Sequence, residues 1–400
     1  MVGADAGLDA PAGHADAPYR PRDTAVPDTG PEPCARGIRA VTADVPPLDA
    51  LYRNGLTSVA GDGETAYVAQ TDFVDGAHVG RLTIVDARTG ARRSAAQAVL
   101  PMPADGGRGS PAVSIPVPLA IRAGPVPEVL WASQAEAGPF AAVVRFDDDA
   151  VGVTPVAAPD GEWVYWAHAA APSADGFVLV TENGDGAGFG YRVMHIVDGV
   201  ATQVPLGLEV DTPTVGAGAT SVALSAGGAG ATLFGALTVA APEGQALIAL
   251  AIDVSGATPR IESREIDRFA RPGGDAITAD RAGEGAVIGA RVEGDAPSVR
   301  FYWVAPDLTE IARWETAGSG LPLGAVGDAR QAVAFAHDGL DLALYVGIAD
   351  SPGMVRGGER PLVNALEHTA RGPPWESSPG TISISYLRGG VEILSLCGSP

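Results

Sequence analysis

Short apolar runs, each closed by Gly, Asp or Pro, fill the chain from Ile38 onward. The stretch LTSVAGDGETAYVAQT (Leu56–Thr71) reads as two strands around a Gly-Asp-Gly turn. GRLTIVDARTGARRSAA (Gly80–Ala96) reads as two more around Ala-Arg-Thr-Gly. Gly and Asp accept the backbone angles a tight turn demands, so apolar runs bounded by them predict strands and hairpins.

The group of four then recurs. Further sets run from Ile115 to Val156, Trp163 to Leu206, Thr220 to Ile266, Asp275 to Glu315 and Gln331 to Cys397. The sets start about 55 residues apart, and four strands per unit at a period near 50 mark a β-propeller blade. The pattern therefore predicts an all-β fold, a β-propeller of four-stranded antiparallel blades. Six blades fit the spacing, and seven is the alternative count. A seventh would draw on Gly37–Asp49 and the long loops. The rival architecture is a pair of β-sandwiches, whose strands come seven or more per domain. Unbroken grouping by four, with no Pro- or Ser-rich linker in mid-chain, favours the propeller.

Two segments stand outside the pattern. Residues 1–33 are mostly Ala, Asp, Pro and Gly. They have too little apolar surface to offset the entropy of ordering and read as a disordered stalk. Residues 34–400 then form a single propeller domain. Residues 351–380 read as an insertion between the second and third strands of the sixth set. There PLVNALEHTAR carries the best helical pattern in the chain, with Pro361 suited to a first turn and Leu362, Val363 and Leu366 on one face.

The only two cysteines lie at the extremities of the predicted domain, 363 positions apart. Cys34 directly precedes the first strand-like segment, GIRAVTADV, and Cys397 follows the last, VEILSL. If the first segment completes the last blade, the two become neighbours, and a Cys34–Cys397 disulfide would staple the seam. Closing so long a loop restricts the unfolded chain by up to about 5 kcal/mol. The plainer account is two buried thiols acting as small hydrophobes. Their position outside the apolar runs favours the bridge, which would fit an oxidising compartment.

Composition narrows the partners. The formal net charge is −22, and all 26 basic residues are Arg. Such an acidic chain repels nucleic acid and anionic membrane surfaces. No apolar run reaches the ~18 residues of a membrane helix.

Signatures of chemistry are sparse. G-x-S-x-G, H-E-x-x-H and CxxC are all missing, and a P-loop needs a Lys that the chain lacks. Asp147, Asp148 and Asp149 stack at a turn, where they could hold Ca²⁺ if backbone carbonyls converged on them; a solvated hairpin tip is the plainer reading. Glu182 and Asp185 sit in a Gly-rich loop without calcium-loop spacing. WVYWAHA (Trp163–Ala169) puts Trp166 and His168 on one side of a strand, for blade packing or a sugar platform. Within 351–380, Glu367, His368, Arg371 and Trp375 bring acid, base, cation and aromatic surface close together, either as a binding site or as a clasp over the seam.

Across residues 34–400 the chain resembles the propeller-type lipoproteins of GC-rich bacteria. Its Ala/Asp/Pro/Gly tail is similar to the stalks that follow the lipid-anchoring cysteine of exported lipoproteins. The resemblance implies a place in the periplasm or at the cell surface, with lipid anchoring through a leader upstream of Met1. MVGADAGLDAPAGHADAP itself has neither a basic start nor an apolar core. The functional expectation is an exported, monomeric, non-enzymatic binding or scaffold protein that presents loops to a protein or glycan partner. The alternative is a metal-assisted hydrolase or lyase with its site at the propeller channel. No cofactor beyond Ca²⁺ is expected.

Overall fold

The chain divides into two units, Met1–Pro33 and Cys34–Pro400. The structure, a computed structural model, describes residues of the second: 37–46, 57–101, 116–133, 141–147, 150–157, 165–184, 189–204, 222–224, 232–241, 244–256, 259–269, 277–293, 296–317, 321–327, 331–338, 341–348, 354–361, 375–378, 381–387 and 390–397.

All regular elements among these residues are strands. The first, β1 (Gly37–Thr42), stands apart from its sequence neighbours. The next twenty fall into five consecutive groups of four. The first sheet comprises β2 (Thr57–Asp62), β3 (Thr65–Val74), β4 (Ala77–Asp86) and β5 (Arg92–Val99). The second holds β6 (Pro116–Arg122), β7 (Glu128–Ser133), β8 (Ala141–Phe146) and β9 (Val151–Pro155). The third is β10 (Tyr165–Pro172), β11 (Phe177–Gly184), β12 (Phe189–Val197) and β13 (Val200–Val204). The fourth is β14 (Val222–Leu224), β15 (Thr232–Ala241), β16 (Gly244–Asp253) and β17 (Arg260–Phe269). The fifth is β18 (Ile277–Ala282), β19 (Gly285–Val292), β20 (Ser298–Val304) and β21 (Glu310–Ala317). A sixth group holds β22 (Pro322–Gly327), β23 (Gln331–Asp338), β24 (Asp341–Ile348) and β25 (Met354–Pro361); it joins the fifth through one parallel pair, Ala282 opposite Gly327. The last is β26 (Trp375–Ser378), β27 (Thr381–Leu387) and β28 (Val391–Cys397), with β1 added beside β28.

Burial follows strand order. In the fourth sheet, β16 is buried along nearly its whole length, whereas β17, RIESREIDRF, is mostly exposed. β5, β9 and β21 are likewise exposed outer strands. A middle strand with another sheet on each face must be apolar throughout, while an outer strand meets water. The cores accordingly lie between successive sheets. One cluster joins Val178, Val180 and Val193 of the third sheet to Leu233, Leu237 and Leu250 of the fourth. Another joins Phe234 and Leu247 of the fourth to Ile288 and Tyr302 of the fifth. First strands also run beside one another from sheet to sheet: β2 by β6, then β10, β14, β18 and β22, with β26 returning to β2. Four-stranded antiparallel sheets packed in succession by their faces make a β-propeller.

The ring closes through the two ends of the domain. β1 pairs antiparallel with β28 from Gly37 opposite Cys397 to Thr42 opposite Glu392. The Ala43 N–H donates to the Val391 carbonyl at 2.8 Å, and the Asp44 N–H donates to the Gly90 carbonyl at 2.7 Å, tying the seam to the first sheet.

The first five sets read from the sequence coincide with the first five sheets. The sixth joins strands of two sheets, so the described residues make seven four-stranded groups where the spacing suggests six. β25 and β26 lie inside the segment that reads as an insertion, and they belong to different sheets. MVRGGERP lacks apolar alternation; β25 is an edge strand that, among the described residues, pairs with β24 alone. Pro361, expected in a helix, closes β25 opposite Asp341. The rest of that predicted helix lies outside the described residues.

Candidate functional site

Asp147 sits in the turn between β8 and β9, closed by hydrogen bonds between Asp147 and Ala150 in both directions, at 3.0 and 3.2 Å. It is exposed and lies 3.9 Å from the Arg145 guanidinium. Asp148 and Asp149 lie outside the described residues, as do Asp185, Glu367, His368, Arg371 and Cys34. Among the described residues no three His, Cys, Asp or Glu side chains are grouped to hold a metal ion. The backbone positions of Asp147, Glu182, His195 and His337 fall on three different sheets. The Trp166–His168 alternation is broken by a register shift between Ala167 and Ala169.

Trp375 opens β26 and is buried rather than displayed. Its ring fills the space beside Gly61, where a Cβ would overlap it, and its Nε1–H donates to the Gly63 carbonyl at 3.2 Å. Val59, Val68, Val391 and Ile393 share its cluster. Trp375 thus packs the closing sheet onto the first, as a clasp would, and offers almost no surface to a ligand.

Three polar clusters were not legible in the sequence. The first joins the β10–β11 turn to β12. Ser173 Oγ donates to Asp175 Oδ1 at 3.1 Å, and His195 Nε2 lies 3.1 Å from Asp175 Oδ1 and 3.4 Å from Ser173 Oγ. The Ser173 N–H donates to the Gly176 carbonyl at 2.9 Å and closes the turn. Gly176 lets the turn lie against β12, since a Cβ there would overlap the Ile196 carbonyl oxygen. Burial opposes ionisation of Asp175, but the Ser173 hydroxyl and the His195 ring outweigh it and hold the carboxyl below its ordinary range. Both Ser173 and Asp175 address the same ring nitrogen. A hydrolytic triad needs the acid on one nitrogen and the nucleophile on the other, so this is not that machinery. Only the turn signal PSADG was available in advance; its partner stands twenty residues away on another strand.

The second cluster clamps the fourth sheet to the fifth. Asp267 accepts from the Tyr302 hydroxyl, from Arg300 Nη1 at 3.1 Å and from Arg313 Nη1 at 3.3 Å. The Arg313 guanidinium also stacks 4.8 Å from the Tyr302 ring centre. Burial pushes Asp267 upward, but these donors prevail and hold it below the usual carboxylate range. Burial, and then the Asp267 charge, push the Tyr302 phenol up.

The third is Asp280 on β18, where the fifth and sixth sheets meet. It is fully enclosed and accepts the Ala325 N–H at 2.9 Å. Burial raises its carboxyl to about 7, against the pull of that single donor.

One further feature faces outward. The β3–β4 hairpin turns at Asp75 and Gly76, with φ of 51° and 83°, the left-handed pair that an Asp-Gly turn supplies. Beside it Phe73 is 47% and Val74 36% exposed, and Val99 on β5 is 65% exposed. The buried His78 ring packs edge-on to Phe73 at 5.1 Å, and its Nδ1 has no partner among the described residues.

No protein-family model and no curated protein matches the chain. Solved structures do. Hydrazine synthase from Kuenenia stuttgartiensis matches at TM-score 0.52 and 13% identity, over 86% of this chain and 96% of that one. The β-propeller domain of Nup133 from Vanderwaltozyma polyspora matches at 0.48 and 11%, over 90% and 97%. A prolyl endopeptidase matches at 0.44 and 14%, over 86% of this chain; this chain spans 48% of that enzyme's length. At such identities the likeness concerns the fold: the chain is an all-β protein of propeller architecture, built on four-stranded antiparallel sheets.

Proposed function

We propose that this chain is an extracytoplasmic binding or scaffold propeller whose loops engage a protein partner. The observation that carries the reading is the β3–β4 tip. Phe73 and Val74 are displayed to water at the hairpin tip, beside the buried His78 ring. Apolar groups held out on a hairpin tip suit a protein surface better than a free solvent face. Asp75 lies at the tip, and the net charge of −22 favours a basic partner. The test compares wild type with a Phe73→Asp/Val74→Asp variant in crosslinking on intact producing cells. A defined adduct that the variant loses supports the reading. An adduct unchanged by the substitutions, or binding only to a glycan array, overturns it.

The compartment reading rests on the seam. Cys397 lies opposite Gly37, and Cys34 precedes Gly37 by three residues, a reach of at most about 10 Å. That register supports a Cys34–Cys397 disulfide, and with it an oxidising environment.

A further inference from the structure

We propose that Ser173 Oγ, Asp175 Oδ1 and His195 Nε2 bind one divalent transition-metal ion of the Zn²⁺ type, with the fourth position open to water. The three atoms form a triangle with edges of 3.1, 3.1 and 3.4 Å. Zn²⁺ binds nitrogen and oxygen at about 2.0–2.2 Å, which sets the ligand–ligand edge of a tetrahedron near 3.3–3.5 Å. The triangle thus already approximates one face of that tetrahedron, and an ion would sit just outside its plane.

Protons can satisfy both donors of the cluster. The hydroxyl and the ring N–H each have one hydrogen, and both can point at Asp175 Oδ1. The 3.4 Å edge between Ser173 and His195 then has no hydrogen of its own. With the ring proton on Nδ1 instead, three lone pairs converge, and a cation meets all of them. Imidazole with oxygen donors is a donor set suited to Zn²⁺.

The ligands are held in advance. The His195 ring is buried in β12, and Gly176 presses the turn against that strand. Arg122 does not fill the position: its Nη1 donates to the Ala174 carbonyl at 3.3 Å, and its charge is met by Glu128. The Asp175 side chain is 52% exposed, which gives the cluster a route to solvent.

Isothermal titration of the chelator-treated full chain with ZnSO₄ tests this. Wild type should take up one ion. Asp175→Asn and His195→Gln should weaken binding at least tenfold, with folding verified by circular dichroism in EDTA. Ser173→Cys supplies a thiolate at the same place and should tighten binding, a gain that a purely hydrogen-bonded knot does not predict. No uptake by wild type overturns the proposal. So does uptake that survives both ligand substitutions unchanged, which would mark binding to the acidic surface. If the two ligand variants do not fold, the Ser173→Cys comparison decides: affinity equal to or below wild type counts against the site.

Discussion

Asp280 shows how one residue can set a pH dependence for the whole domain. An unfolded Asp releases its proton near 3.8, whereas the enclosed one holds it to about 7. Between those values the native state carries a proton that the unfolded state has lost, so stability falls as pH rises through the window and levels off above it. Each pH unit is worth about 1.4 kcal/mol, so the loss amounts to a few kcal/mol. Asp280→Asn keeps an acceptor for the Ala325 N–H and removes the ionisation. Its thermal midpoint should stay nearly flat from pH 4 to 8 where the wild type declines; parallel curves would show that Asp280 does not titrate in this way. Glycine matters at the same scale. Gly61→Ala would drive a methyl into the Trp375 ring, and overpacking of this kind costs about 1–3 kcal/mol, readable by denaturant titration.

At the scale of the element, closure by β1 is the decisive contact. Without it β28 would become an unpaired edge of seven residues, a template for other chains. Deleting residues 1–42 should lower the melting temperature and produce concentration-dependent association in light scattering. A monomeric variant with wild-type stability would show that the seam is dispensable. The Asp267 clamp works alongside: its donors Tyr302, Arg300 and Arg313 come from β20 and β21 and fix the outer strands of two neighbouring sheets.

For the whole molecule, the proposed bridge between Cys34 and Cys397 joins the two ends of the ring. Its loss should cost up to about 5 kcal/mol, mostly through the freedom regained by the unfolded chain. Reduction, or Cys34→Ser, should lower the melting temperature by several degrees, and the oxidised chain should show no thiol reactive after denaturation. Two titratable thiols in non-reducing denaturant would exclude the bridge.

Sequence by itself determined the class of fold and the boundaries of five sheets, and it raised the pairing of the first strand with the last only as a condition of ring closure, which the β1–β28 register meets. The fold class and sheet boundaries follow from local periodicity, because a strand buried on both faces must be apolar and tight hairpins favour Gly or Asp. Tertiary structure alone decided the rest. β22 and β26 are short, and β25 is rich in Gly and charge, so they carry little periodic signal and the last two sheets merged into one set when read as sequence. Trp375, which the sequence left between a binding surface and a clasp, is a buried clasp because Gly61, over three hundred residues earlier, leaves room for its ring. Ser173, Asp175 and His195 meet only because an antiparallel hairpin and a glycine contact fold a turn onto a strand; no spacing along the chain encodes that distance.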